Sequence, residues 1–228
     1  MINHKKPGKS LLFAASLLFA AACTQPASAE EAVLAPASKV AAKESGLQTA
    51  IFAGGCFWGI EAVFSHLKGV SSSVSGYHGG SKADAAYKTV SGGGTGHAEA
   101  VKVTYDPKVI RYDQLLRVFF SVGADPTTLN YQGPDHGTQY RSALVPLNAE
   151  QTKVARAYLA QMGKSGVWKA PIVTKVEGYK AFYPAEQYHQ DFMQKNPNQG
   201  YIVRWDKPKV AALKKMFPSL YSSAFKTG

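Results

Sequence analysis

The sequence predicts a single α+β domain, a two-layer sandwich in which helices pack on a mixed sheet. Short apolar runs of strand length and segments of helical spacing follow one another without the strict alternation of a doubly wound parallel fold. The chain has 228 residues, 45% of them hydrophobic, with twelve Tyr, eleven Phe and three Trp, which is enough apolar surface for one ordinary core. With only 18% of its residues charged, no internal repeat and two cysteines, it is neither disordered nor a disulfide scaffold.

The elements read in order as follows. The domain is expected to start near Leu47 and run to Gly228. Thr49 to Ala53 form a short buried strand; after Gly54 and Gly55, the spacing of Phe57, Ile60, Val63, Phe64 and Leu67 predicts a helix to about Lys68. Val70 to Gly76 and Ala98 to Tyr105 alternate as strands around a glycine-rich loop, and Asp106-Pro107 closes the second. Helical spacing returns at Leu115, Leu116, Phe119 and Phe120. A loop follows from Gly123 to Gly137, then a strand from Tyr140 to Pro146, a helix from Ala149 to Met162, a strand from Ile172 to Val176 and a short terminal helix from Lys209 to Met216.

The formal charge is +11, which ordinarily suggests an anionic partner. The N-terminus contributes part of it. Lys5, Lys6 and Lys9 precede a twelve-residue apolar run, Leu11 to Ala22, too short to span a bilayer and laid out as a secretory signal. Without those three lysines the basic total falls from 26 to 23 against 15 acids, a net +8. The remaining cations are scattered with no basic helix face or metal-finger spacing, so nucleic acid is not an expected partner. Cleavage before Cys23 would leave a lipidated cysteine and a lipid anchor, with residues 1–22 removed. Cleavage after Ala27-Ser28-Ala29 would discard residues 1–29 and Cys23 with them. Residues 30–46, rich in Ala, Ser, Pro and Lys, read as a flexible linker. The expected location is the periplasm or cell envelope.

On either route the domain keeps one thiol, Cys56, in Gly54-Gly55-Cys56-Phe57-Trp58-Gly59. A thiol at a helix start meets unpaired N–H groups and the positive end of the dipole, which should lower its pKa and make it a nucleophile. A buried structural cysteine is an equally open reading of strand, turn and helix alone.

The whole string resembles the signature of the A-type peptide methionine sulfoxide reductases. Five more blocks resemble that family, in its order: Ser75 to Gly80 (SGYHGG), Gly94 to Ala100 (GTGHAEA), Asp125 to Asn130 (DPTTLN), Gln132 to Ser142 (QGPDHGTQYRS) and Phe182 to Gln190 (FYPAEQYHQ). The resemblance covers about Thr49 to Trp205. It implies thiol-dependent reduction of methionine S-sulfoxide, free or in oxidised proteins. The chain is expected to work as a monomer without metal or organic cofactor. The resemblance also implies roles. Cys56 attacks the sulfoxide sulfur, Glu99 donates the proton, Tyr77 and Tyr140 hydrogen-bond the oxygen, Asp135 orders the polar side, and Phe57 and Trp58 hold the S-methyl group. A carboxyl in an aromatic-walled pocket should stay protonated through desolvation, as a proton donor must.

Two other classes compete. A cysteine acyl hydrolase needs a close Cys–His pair, with His97, His136 and His189 as candidates, and a basic envelope-binding module would ignore alkylation of Cys56. The same three histidines have no compact metal-ligand spacing. Many family members carry further cysteines near the C-terminus that resolve the oxidised one. From Phe57 to Gly228 there are none, so a Cys56 sulfenic acid would need an external thiol such as thioredoxin, glutaredoxin or a small thiol.

Overall fold

The computed structural model describes residues 1, 2, 4 and 32–228. Cys23, both candidate cleavage sites and the apolar run lie outside the described residues. The elements are β1 (Gln48–Gly54), α1 (Phe57–Ser65), β2 (Val70–His78), α2 (Tyr87–Val90), β3 (Ala98–Tyr105), α3 (Tyr112–Val118), β4 (Tyr131–Gln132), β5 (Asp135–His136), β6 (Ser142–Val145), α4 (Ala149–Gly163), β7 (Lys175–Val176), β8 (Phe182–Pro184), α5 (Phe192–Lys195) and α6 (Lys207–Met216). Six strands form one mixed sheet in the order β7-β6-β1-β3-β2-β8, antiparallel except for the β6/β7 pair. The α+β class is as expected.

Alternation along the central strands assigns the faces. Ala50 and Phe52 of β1 and Val101 and Val103 of β3 join Phe64 of α1, Leu115 and Leu116 of α3 and Val154 and Tyr158 of α4 in the main core. Ile51, Ala53, Ala98, Ala100, Ala143 and Val145 point the other way into a small cluster against Phe182. Phe52 anchors the layer contact, its ring centroid 4.6 Å from that of Phe64 and 5.3 Å from that of Phe119.

Several expected boundaries shift for local reasons. Helix α1 stops at Ser65, where the C-terminal tail takes over: Ser222 N–H donates to His66 O and Lys68 N–H to Leu220 O. The strand expected from Ile172 shrinks to two residues because Val173 N–H donates to Pro126 O instead of to the sheet. Thr138–Tyr140 form a 3₁₀ turn, so β6 begins at Ser142. The loop from Gly123 to Gly137 contains a hairpin, with Gln132 paired to Asp135 around Gly133-Pro134. A π-helical stretch, Ile202–Asp206, precedes α6.

The linker reading fails for residues 32–46, which are strapped across α3 and α4. Ala35 and Ala42 are buried in the main core. Ala35 N–H donates to Ser121 Oγ and Ala42 N–H to Asp113 Oδ1, both at 2.9 Å, while Tyr158 Oη donates to Pro36 O at 2.7 Å. Alanine and proline side chains signal nothing about such anchoring, because the bonds run through the backbone of this segment to side chains far along the chain.

Candidate active site

Antiparallel register gathers the site at one end of the sheet. Strand β1 ends at Gly54 where β6 begins, with Gly54 opposite Ser142, and β2 ends where β3 begins, with Tyr77 opposite Glu99. The chain then turns sharply into α1. Gly55 has φ +87°, and a Cβ there would lie 2.5 Å from the Gln132 side chain; a Cβ on Gly54 would strike Ala124 and Phe119. These two glycines let Cys56 occupy the N-cap of α1 against a close wall.

Cys56, Phe57, Trp58, Tyr87, Glu99, Asp135, Tyr140, Gln199 and Tyr201 line one cavity of about 230 Å³. Six of the seven residues singled out in the sequence are thus brought together. Trp58 is fixed by a stacked Phe192 ring at 3.8 Å and by donating Nε1–H to His189 Nδ1 at 3.1 Å. Glu99 is 2% exposed and accepts the Phe57 backbone N–H at 3.1 Å. Burial, aided by the Asp135 and Asp206 charges and opposed by that hydrogen bond, raises its pKa to about 8. The carboxyl therefore holds its proton at neutral pH. Asp135 Oδ2 accepts the hydroxyl of Tyr201, and burial raises the Asp135 pKa. Desolvation, reinforced by nearby acids, likewise keeps Tyr87, Tyr140 and Tyr201 protonated as donors.

Two expectations need correction. Tyr77 is fully buried outside the cavity and donates its hydroxyl to Glu186 Oε2 at 2.8 Å. The other oxygen of Glu186 accepts the Tyr87 backbone N–H at 2.8 Å, so Tyr77 supports the carboxylate that holds Tyr87, and Tyr87 is the tyrosine facing the cavity. The Cys56 thiol is not acidified. Desolvation first, then the Glu99, Asp206 and Asp135 charges, push its pKa well above the ordinary value, and the Trp58 backbone N–H does not offset them. Helix α1 is nine residues long and supplies only a partial charge, whereas three carboxyls crowd a dry site.

Tyr87, Gln199 and Tyr201 carried no signal in the sequence, since they sit at a helix start or in loops without periodicity. Asp206 was also missed. It is 1% exposed, overlies Gly59, whose Cβ would meet Asp206 Oδ1, and has a pKa raised to about 7 by burial. No histidine lines the cavity, which removes the partner that the hydrolase reading requires. No cluster of three or more His, Cys, Asp or Glu residues able to hold a metal ion occurs among the described residues.

A single thiol facing a protonated carboxyl and tyrosine hydroxyls in an aromatic-walled cavity defines a thiol-dependent oxidoreductase that removes oxygen from a small apolar group. The comparisons with known proteins give the family. The family model for peptide methionine sulfoxide reductase matches residues 48–220. A Mesorhizobium japonicum protein, peptide methionine sulfoxide reductase MsrA 2, is 59% identical over 177 residues, 78% of this chain and 91% of that one. The Deinococcus radiodurans MsrA is 52% identical over 170 residues, covering 75% and 82% of the two chains. Among solved structures, reduced Mxr1 from Saccharomyces cerevisiae superposes with a TM-score of 0.59 at 35% identity, covering 77% of this chain and 95% of that one. Methionine sulfoxide reductase A of Corynebacterium diphtheriae gives a TM-score of 0.57 at 31% identity, covering 68% and 77%. The chain belongs to the peptide methionine sulfoxide reductase family, A type, and its activity is the thiol-dependent reduction of methionine S-sulfoxide.

Proposed function

We propose that Cys56 and Glu99 carry out this reduction as a nucleophile and acid pair, and that an external thiol restores Cys56. The observation that carries the reading is their shared cavity, with Glu99 protonated and anchored to the N–H next to Cys56. The substrate S-methyl group rests against Phe57 and Trp58, and its oxygen accepts from Tyr87 and Tyr140. Glu99 protonates the oxygen, turning an oxide into a competent leaving group and the sulfur into an electrophile. The carboxylate so formed takes the Cys56 proton, releasing the thiolate where it is needed. The thiolate attacks the substrate sulfur, and the transient S–S bond and the substrate S–O bond both break as the oxygen passes to Cys56 and the Cys56 S–O bond forms. The substrate sulfur gains two electrons and Cys56 loses two; the sulfenic acid carries the proton that Glu99 gave to the oxygen, and the thiol proton is left on Glu99, which is thereby reset. A thiol kept neutral until substrate arrives is protected from stray oxidation.

The lack of cysteine from Phe57 to Gly228 supports release of the sulfenic acid by a thiol from outside, such as a thioredoxin, a glutaredoxin or a small thiol. We also propose that the protein works as a monomer in the periplasm or cell envelope, soluble or anchored through Cys23, a reading supported by the lysine-flanked apolar run.

Single-turnover chemistry tests the mechanism. One equivalent of the S epimer, given without reductant, should yield one methionine per chain and add one oxygen to the intact mass, trappable by a sulfenic-acid reagent. The R epimer and Cys56→Ser should yield none. Methionine release by Cys56→Ser, or an intramolecular disulfide in the mature protein, would overturn the one-cysteine mechanism.

A further inference from the structure

A buried carboxyl on α1 has no task in the proposed reduction. Glu61 follows Trp58 by three residues, one helical turn further along α1. It is 1% exposed, does not line the cavity and has no cation bonded to it among the described residues. Burial, aided by the Asp191 charge and opposed by its hydrogen bonds, raises its pKa to about 8, so the group holds its proton at neutral pH. An acid is a costly way to fill a core, and what its oxygens meet shows its use.

They meet backbone N–H groups of two distant segments. Oε2 accepts the Asp191 N–H at 2.9 Å, and Oε1 lies 3.4 Å from Ser75 N of β2, whose closer partner is Gln190 Oε1 at 3.0 Å. Asp191 has φ +56°, a left-handed conformation that a residue with a Cβ keeps only where its surroundings hold it. Its own carboxylate is engaged by Lys195 Nζ at 3.4 Å and by the Gly228 N–H at 3.3 Å. The turn made at Asp191 sends His189 and Phe192, on either side of it, to one indole: His189 Nδ1 accepts the Trp58 Nε1–H, and the Phe192 ring stacks on it. Between them, Gln190 donates to Ser75 O at 3.0 Å and to Ala185 O at 2.9 Å. Gln190 thus ties the segment to the sheet, and Glu61 ties it to the helix.

Trp58 is only partly buried, so the placement of its ring depends on these two braces. Each brace is only as well placed as the turn between them. We propose that Glu61 is a positioning residue for substrate binding: by accepting the Asp191 N–H it locks the His189–Phe192 turn to α1 and so holds the Trp58 indole where the substrate S-methyl group rests. The inference rests on the reading of Trp58 as that wall. None of the hydrogen bonds of this segment reaches Cys56, Glu99 or Tyr140, so loss of the Glu61 acceptor weakens binding and spares the chemistry. A protonated acid presents one acceptor oxygen and one O–H. Glutamine presents an acceptor and a donor in nearly the same shape, whereas leucine fills the volume and accepts nothing.

Single-turnover assays at pH 7 test this. Glu61→Leu should raise the concentration of methionine S-sulfoxide that gives half the maximal rate of methionine release by about tenfold, the scale of one buried hydrogen bond. The maximal rate should stay within about threefold of wild type. Glu61→Gln should bring the half-saturating concentration back to within about threefold of wild type. The Trp58 indole N–H resonance, assigned by its absence in Trp58→Phe, should move in Glu61→Leu and keep its place in Glu61→Gln. In the wild-type protein, which needs no variant to fold, the Asp191 N–H should exchange with deuterium as slowly as the amides of β2. Fast exchange at Asp191, an unmoved indole resonance in Glu61→Leu, a fall in maximal rate alone, or failure of glutamine to rescue would each overturn the role of Glu61. An indole resonance that moves with half-saturation unchanged would overturn it by showing that Trp58 is not the wall. A missing methionine burst in the wild-type enzyme would instead count against the proposed reduction itself.

Discussion

Replacing Glu99 with Gln should stabilise the protein while stopping its chemistry. The carboxyl is 2% exposed, accepts one backbone N–H from Phe57, and faces Cys56, Asp135 and Asp206 with no cation bonded to it among the described residues. Its pKa is raised from an ordinary 4.5 to about 8, chiefly by burial. An acid whose folded pKa exceeds its unfolded one binds its proton more tightly in the native state. The fold therefore loses stability as pH rises from 4.5, and the loss levels off above about 8. At pH 7 the cost is about 3 kcal/mol, an upper figure because it assumes a fully solvated unfolded carboxyl. Glutamine is isosteric, cannot ionise and can still accept the Phe57 N–H, so it escapes this cost. Urea unfolding should show Glu99→Gln matching wild type near pH 4 and exceeding it by up to about 3 kcal/mol near pH 7. Single-turnover methionine release should meanwhile fall about 10²- to 10⁴-fold, the loss expected for a positioned general acid. In the wild type that release should decline as pH climbs through about 8 and Glu99 gives up its proton. A stability difference independent of pH, or a single-turnover rate close to wild type, would refute the reasoning.

The tyrosines separate by position. Tyr87→Phe and Tyr140→Phe should each slow methionine release by about 10²-fold as an oxygen-binding donor is lost, whereas Tyr77→Phe should leave the rate within about threefold and cost about 1 kcal/mol in urea unfolding. Equal effects from all three would show that Tyr77 reaches the substrate oxygen after all. For the strap, Ala42→Asp places a carboxylate beside Asp113 in the core and should release residues 32–46 to limited proteolysis. Methionine release should be retained, because none of the hydrogen bonds shown for the strap reaches a residue lining the cavity. A proteolysis pattern identical to wild type would mean the strap contributes nothing.

Much of the fold was legible because it rests on local patterns. The spacing of Phe57, Ile60, Val63 and Phe64 and the alternation in Ala98 to Tyr105 give α1 and β3 before any tertiary contact is known. The Gly-Gly-Cys turn places Cys56 at a helix start, and Glu99 could be expected to carry a raised pKa once it was assigned to an aromatic pocket. Tertiary structure decided the rest. Whether Tyr77 or Tyr87 faces the substrate depends on strand register and on one carboxylate, Glu186, 99 residues beyond Tyr87. The thiol pKa was misjudged because the helix dipole is visible locally, while Asp135 and Asp206 are brought near Cys56 only by folding. Residues 32–46 were misread for the same reason, since their partners lie on α3, on the π-helical turn after it and on α4. A sequence window records the spacing of neighbours, but desolvation and charge depend on what distant segments bring into the same few ångströms.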